Sequence, residues 1–277
     1  MPDRRMGRGK DGRFTGSQHT ARMVQSVDHL QTPAAIAPVA TVRRLGVIGD
    51  LHAEHRRLDQ VLNWFSGQNI DAIVCTGDVA DGRGCIEESC RLLDAAGVHV
   101  VAGNHDRWLL QNKVRHVPDA HARDALSAGA LEFLQALPRT RAIETVSGRL
   151  LLCHGIAEND MAKIWPGSSR LPVERSECLD AIIASGDYRY LINGHLHYRV
   201  LIDFERLLVM NAGTLRGAYA GVSIMDFGAD IVRSFAVTDD EPPRPVAEQP
   251  LTPSAPRRIW RNTQCFDGAW EPLALYG

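Results

Sequence analysis

The chain has 277 residues, a formal net charge of -2, and 44% hydrophobic against 23% charged residues. That length suits one large domain or two small ones of ordinary soluble composition. The charge balance excludes a global pull toward nucleic acid or anionic membrane, and no run approaches the ~18 apolar residues of a membrane span. The six cysteines form no Cys-x-x-Cys pair, which excludes a zinc ribbon or dithiol redox motif. Cys75 and Cys153 sit inside apolar runs, as buried thiols do in a reducing compartment. No apolar stretch of secretory type follows the basic first residues, so a cytoplasmic protein is expected.

Residues 1–42 carry Arg4, Arg5, Arg8, Lys10, Arg13 and Arg22 among Gly, Ser and Gln, then a Pro/Ala-rich linker. They read as a disordered basic tail, which leaves contact with nucleic acid open. Order is expected from Arg43. Leu45 to Gly49 forms a strand with Asp50-Leu51-His52 at its end, where strand alternation sends Asp50 and His52 the same way. Leu58, Val61, Leu62 and Phe65 recur at helical spacing over 55–68. A second strand over 70–76 ends in Gly77-Asp78, a helix covers 86–96, and Gly97 suits its C-cap. A third strand over 98–102 runs into Gly103-Asn104-His105-Asp106. Strand and helix alternating at this spacing predict a parallel βαβ series covered by helices.

Residues 107–141 break the rhythm and read as a helical insertion beside the site. A strand over 149–153 leads to His154-Gly155, a helix covers 173–185, and Tyr188 to Ile192 runs into Asn193-Gly194-His195-Leu196-His197. Apolar runs at 207–210, 222–227 and 231–237 predict three more strands. Beyond Asp239, repeated prolines predict an irregular tail over 239–277. Its last apolar residues (Trp260, Phe266, Trp270, Leu273, Leu275 and Tyr276) are free to dock on the domain or on a second copy. The domain is thus expected over 43–238.

Asp50, His52, Asp78, Asn104, His105, His154, His195 and His197 all follow apolar runs, in loops at one end of successive strands. A glycine precedes Asp50, Asp78, Asn104 and His195, which allows close approach of backbone in each loop. A dinuclear hydrolytic site needs a carboxylate able to bridge two cations ~3.5–4 Å apart. Imidazoles, carboxylates and one amide suit two divalent transition ions (Mn, Fe or Zn, with Mn the first choice in vitro) better than Mg or Ca. An uncoordinated histidine is the natural proton donor to a leaving alkoxide.

These blocks resemble the calcineurin-like metallophosphoesterases. The matching pieces are Asp50-Leu51-His52, Gly77-Asp78-Val79-Ala80-Asp81, Gly103-Asn104-His105-Asp106, His154-Gly155 and Gly194-His195-Leu196-His197, in order over about residues 44–215. The resemblance implies an α/β fold, a four-layer α/β/β/α sandwich of two mixed sheets flanked by helices. It implies that Asp50, His52 and His197 hold a first metal, Asp78 bridges, and Asn104, His154 and His195 hold a second. By the same resemblance His105 protonates the leaving group and Asp106 orients it. Asn211-Ala212-Gly213-Thr214 resembles the Asn-Pro-Gly-Ser turn of the bacterial phosphodiesterase branch, without its proline. The chain departs from the protein phosphatases of the superfamily. Asp81-Gly82-Arg83-Gly84 displaces the arginine of their Asp-Arg-Gly, and Asp106 stands where they have Glu. A phosphoprotein substrate is disfavoured, and Arg83 and Arg107 remain candidate phosphate clamps.

The expected function is hydrolysis of a small phosphodiester or phosphomonoester by metal-activated hydroxide, with histidine as general acid. A nucleotide or dinucleoside polyphosphate hydrolase, or a nuclease using the basic tail, stays open. The alternative of another class is a non-catalytic metal-binding scaffold on the same fold, which should lack a ligand or the acid histidine. A homo-oligomer stays open through the C-terminal apolar residues.

Overall fold

The computed structural model describes residues 41–276 except 114, 115, 117, 255 and 256. The expected basic tail lies outside the described residues apart from its last two positions. Val42 already pairs with the domain, donating to the Glu144 carbonyl at 2.8 Å.

In chain order, β1 (Arg44–Ile48) leads through α1 (His55–Phe65) to β2 (Ala72–Cys75), and through α2 (Ile86–Ala95) to β3 (His99–Val100). The three strands are parallel, as the βαβ spacing predicts. The insertion over 107–141 contains most of α3 (Asn104–Leu110), all of α4 (Ala128–Ala136), and the start of β4 (Thr140–Thr145). Ser127 caps α4 by accepting from the Ala130 N–H. Next come β5 (Gly148–Cys153), α5 (Glu177–Ser185) and β6 (Tyr190–Asn193). Ser176 caps α5 at its start, and Gly186 ends it in the left-handed region (φ 69). The remaining strands are β7 (Arg199–Phe204), β8 (Leu208–Ala212), β9 (Gly221–Asp226), β10 (Ile231–Ala236), β11 (Arg244–Pro250), β12 (Ile259–Trp260) and β13 (Leu273–Ala274).

One mixed sheet has the order β11-β10-β9-β1-β2-β3, and the other β12-β7-β8-β6-β5-β4 with β13 also on β7. Strand alternation sorts the apolar residues between layers. Leu45 and Val47 of β1 meet Leu150 and Leu152 of β5 and Ile192 of β6 between the sheets. On the outer face of the first sheet, Ile48 packs with Leu58 and Val61 of α1, Leu93 of α2 and Leu134 of α4. On the outer face of the second, Leu151 and Cys153 pack with Leu179 and Ile183 of α5. The result is the expected four-layer α/β/β/α sandwich.

The C-terminal stretch corrects the sequence reading. Among the described residues beyond 238, β11 extends the first sheet and β12 and β13 extend the second, so this stretch is not an irregular tail. Pro245 and Pro250 fit within β11 because it is an edge strand, where a missing N–H breaks no ladder. Trp260, Phe266 and Trp270 are buried on the outer face of the second sheet, and Leu275 lies between the sheets. These side chains are therefore covered within the chain itself and are withdrawn from any surface for a second copy.

The same segment is tied to β7 by a buried ion pair, with Arg257 Nε 2.8 Å from Asp203 Oδ2 and both side chains under a tenth exposed. Removing one partner of such a pair strands the other charge. Asp203→Ala is therefore expected to lower stability by about 3 kcal/mol or more, read as a fall in the urea midpoint. An unchanged midpoint would show that the C-terminal segment is held by apolar packing alone.

Candidate metal centre

The sheet order puts the C-terminal ends of β1, β2, β3, β5 and β6 along one edge, so their loops meet. Seven of the side chains singled out in the sequence come together there in two groups. Asp50, His52, Asp78 and His197 form one group, each offering a ligand atom within 4.8 Å of the others. Asn104, His154 and His195 form a second, with Asn104 Oδ1 lying 2.9 Å from both His154 Nε2 and His195 Nδ1. Asp78 stands between the groups. Its Oδ2 is 3.4 Å from His154 Nε2 and 3.9 Å from His52 Nε2.

The backbone is bent to achieve this. His52, Asp78, Asp81, His195 and His197 all have positive φ, between 46 and 69 degrees, a conformation that non-glycine residues avoid at a cost of order 1 kcal/mol or more. Two glycines are needed for close approach rather than for their own φ. A Cβ on Gly103 would collide with Asp78 Oδ1, and one on Gly194 with Asp50 Oδ1. Asp50 is further fixed by the Thr76 hydroxyl at 2.7 Å and the His195 N–H at 2.8 Å. The Asn211 turn supports the same region, with its Nδ2 donating to the Gly194 carbonyl at 2.5 Å. Thr214 Oγ1 donates to the Asp50 carbonyl at 2.7 Å.

Hydrogen bonding sets the tautomers. His52 Nδ1 donates to the Asp81 carbonyl at 3.0 Å, and His154 Nδ1 donates to the Thr76 carbonyl at 2.8 Å. A neutral ring with its proton on Nδ1 presents a bare lone pair at Nε2. His52 Nε2 then faces His197 Nε2 at 3.0 Å, and His154 Nε2 faces Asn104 Oδ1 and Asp78 Oδ2. Among the described residues, His195 Nε2 is buried with no hydrogen-bond partner. Lone pairs converging on lone pairs repel unless a cation lies among them, so the donor set fits divalent metal ions.

The electrostatics agree. Burial pushes the Asp78 carboxyl well above its ordinary range, and the neighbouring Asp50 carboxylate adds to that shift. Burial also opposes ionisation of Asp50, but His154, His197 and His52 outweigh it and hold Asp50 below the usual range. Burial holds His52 and His195 down at about 4, so both are neutral near pH 7, as metal ligation requires. At His197 burial is outweighed by the Asp50 carboxylate 3.2 Å away, and the ring is shifted upward.

Asp106 does not orient His105. It is the third residue of α3, and its carboxylate turns back to its own helix start. Oδ2 accepts from Gly103 N–H and Oδ1 from Ala80 N–H, both at 2.9 Å. The partner of His105 is Asp81, whose Oδ2 lies 2.7 Å from Nδ1. His121, not singled out in the sequence, pairs with Asp81 in both directions. Its N–H donates to Asp81 Oδ1 at 2.9 Å, and its Nδ1 accepts from Asp81 N–H at 3.0 Å. Arg107 is engaged by Asp160 through two hydrogen bonds of 2.5 and 2.9 Å, so it is not a free phosphate clamp.

Residues 44–229 match the calcineurin-like phosphoesterase superfamily domain. No curated protein matches the chain. Its fold is similar to that of a metallophosphoesterase from Sphaerobacter thermophilus, with 21% identity and a TM-score of 0.51 over 72% of this chain and 88% of that one. It is also similar to a hypothetical protein from Pyrococcus horikoshii OT3, with 16% identity and a TM-score of 0.57 over 72% of this chain and 89% of that one. Among the described residues no helix is long and apolar enough to cross a membrane.

The histidine shifts fix a pH dependence. A ring held at about 4 when folded and at 6.5 when free takes up its proton on unfolding between those values. Stability from the neutral His52 and His195 is therefore complete above about 6.5 and lost as pH falls toward 4. His197, shifted the other way, contributes fully below about 6.5 and loses that contribution only at higher pH. The urea midpoint of the metal-free protein should fall through this window, and His195→Asn should flatten it. Asp78, shifted upward, works against this fall, so the native protein is compared with His195→Asn, and the same pH slope in both would contradict the burial of a neutral His195 ring.

Proposed function

This chain belongs to the calcineurin-like phosphoesterase superfamily, and from that premise we propose that it hydrolyses a small phosphodiester or phosphomonoester at a centre of two divalent cations. The observation that carries the proposal is the double convergence on Asp78, with Asp50, His52 and His197 on one side and Asn104, His154 and His195 on the other. In this reading the first group holds one ion, the second group the other, and Asp78 bridges, with Mn the first choice in vitro. Bound there, the ions would polarise a phosphoryl oxygen and lower the pKa of a water.

The chain's own residues supply the rest. His105 Nε2 lies 3.9 Å from Asp78 Oδ2, on the rim of the cluster, while Nδ1 is held by Asp81. This pairing fixes the ring's orientation and leaves Nε2 to carry the proton given to the leaving oxygen as the phosphorus–oxygen bond breaks. Asp81 is a positioning residue. Asp106 acts at one remove by locking the Gly103 and Ala80 backbone, which keeps the turns bearing Asn104 and Asp78 in place. His197 is the most exposed of the proposed ligands, with 42% of its side chain open, and marks the side from which substrate enters. A non-catalytic scaffold is not favoured, because every proposed ligand and the acid histidine are present and converge.

His105→Ala is expected to lower kcat by about 10²–10⁴ while metal content holds. Asp78→Ala is expected to lose metal itself, measured by inductively coupled plasma spectrometry on the purified variants. Full turnover by His105→Ala would remove the acid from the scheme, and an Asp78→Ala variant that kept both ions would remove the bridge.

A further inference from the structure

A cavity of about 690 Å³ is lined in part by Gly82, Arg83, Gly84, Asp119, His121 and Arg216. Its polar walls are each tied to a different part of the metal centre. His121 is bonded in both directions to Asp81, the partner of His105. The Arg216 N–H donates to Thr214 Oγ1 at 2.9 Å, and that hydroxyl donates to the Asp50 carbonyl at 2.7 Å. Arg83 sits between two glycines pressed against the loop that bears His52. A Cβ on Gly82 would collide with the His52 carbonyl, and one on Gly84 with the Ala53 carbonyl. The base of Arg83 is therefore fixed while its side chain is exposed, and among the described residues its guanidinium has no partner.

The charge of the cavity is positive. Arg216 is paired with Asp119 at 2.5 Å, which leaves Arg83 uncompensated. His121 Nδ1 accepts a hydrogen bond, so a neutral ring carries its proton on Nε2 and offers a further donor. A neighbouring cavity of about 730 Å³ shares Arg83, but its other arginines, Arg56 and Arg57, face three carboxylates of its own, Glu54, Asp239 and Asp240. Of the two, the cavity at His121 is the one built for an anion.

We propose that this cavity is a subsite for a second anionic group, a phosphate or a carboxylate, carried by the leaving portion of the substrate. The inference rests on the phosphoesterase activity proposed for the centre. The leaving oxygen takes its proton from His105, and Asp81 alone separates His105 from His121 on the cavity wall. A leaving group that extends past His105 meets Arg83 and Arg216 there. Arg83 offers a planar donor pair suited to an oxyanion, and Arg216, whose Nη2 is held by Asp119, adds its remaining donors. The preferred substrate is then a phosphoester with a second charge, rather than a simple alkyl or aryl ester.

The test uses the Mn-loaded full-length protein and three esters of matched leaving group: phenyl phosphate, 4-carboxyphenyl phosphate and 1,4-phenylene bisphosphate. Steady-state kcat and KM are measured for the native protein, Arg83→Ala, Arg83→Lys and Arg216→Ala. Arg83→Ala should raise KM for one of the doubly charged esters about tenfold more than KM for phenyl phosphate, with Arg83→Lys recovering part of it. Arg216→Ala should do the same more strongly, because it also leaves Asp119 unpaired in the cavity. A greater effect on the bisphosphate identifies phosphate as the ligand chemistry, and a greater effect on the carboxylate identifies carboxylate. Equal factors on all three esters would overturn the subsite while leaving the phosphoesterase standing. No hydrolysis of any of the three by the native protein would also overturn the subsite, and failure on bis-p-nitrophenyl phosphate as well would overturn the phosphoesterase.

Discussion

Asp50 and Asp78 are almost completely removed from water and lie in the same cluster, where ionising both is costly. Hydrogen bonds from Thr76, His195 N–H and His105 N–H offset part of that cost but supply no full positive charge. The surrounding imidazoles supply it only in part, because burial keeps His52 and His195 neutral near pH 7 while His197 is shifted upward by Asp50. A bound divalent cation would make the arrangement favourable, and much of the nearby architecture holds the cluster in place. Parallel strands bring the loops to one edge, glycines let those loops touch the carboxylates, and main-chain carbonyls fix the ring tautomers.

Holding that geometry requires backbone that would not persist in isolation. His52, Asp78, His195 and His197, all in the cluster, lie in the left-handed region. Neighbours constrain the cluster: the Asp81 and Thr76 carbonyls clamp His52 and His154, and Asn211 and Thr214 clamp the His195 loop and Asp50. The strain is local to the loops, and the two packed sheets lie beneath it. Rigid layers with bent loops between them allow precise placement of ligands with little freedom to relax.

Much of this was legible in the sequence for a simple reason. A buried parallel strand that ends in a glycine and a polar residue leaves a local signature, and five such signatures lie in order along this chain. The parts that were not legible depend on distant partners. Asp81 and Asp106 look alike in the sequence, and only the turn of α3 shows that Asp106 bonds its own helix start while Asp81 reaches His105. His121 belongs to an irregular stretch with no periodic pattern, so its pairing with Asp81 had no local signal. The C-terminal strands were hidden by their prolines, which an edge strand tolerates and a central one does not. The burial of Trp260, Phe266 and Trp270 against the second sheet is likewise a tertiary outcome.

The most direct test of the account is a titration of the metal-stripped protein with Mn, following bound metal and hydrolysis of bis-p-nitrophenyl phosphate and p-nitrophenyl phosphate together. The account predicts two ions bound per chain, with turnover of at least one ester that saturates as the second ion fills. A protein that binds two ions and cleaves neither ester would contradict the catalytic reading, and one that binds none would contradict the metal centre itself.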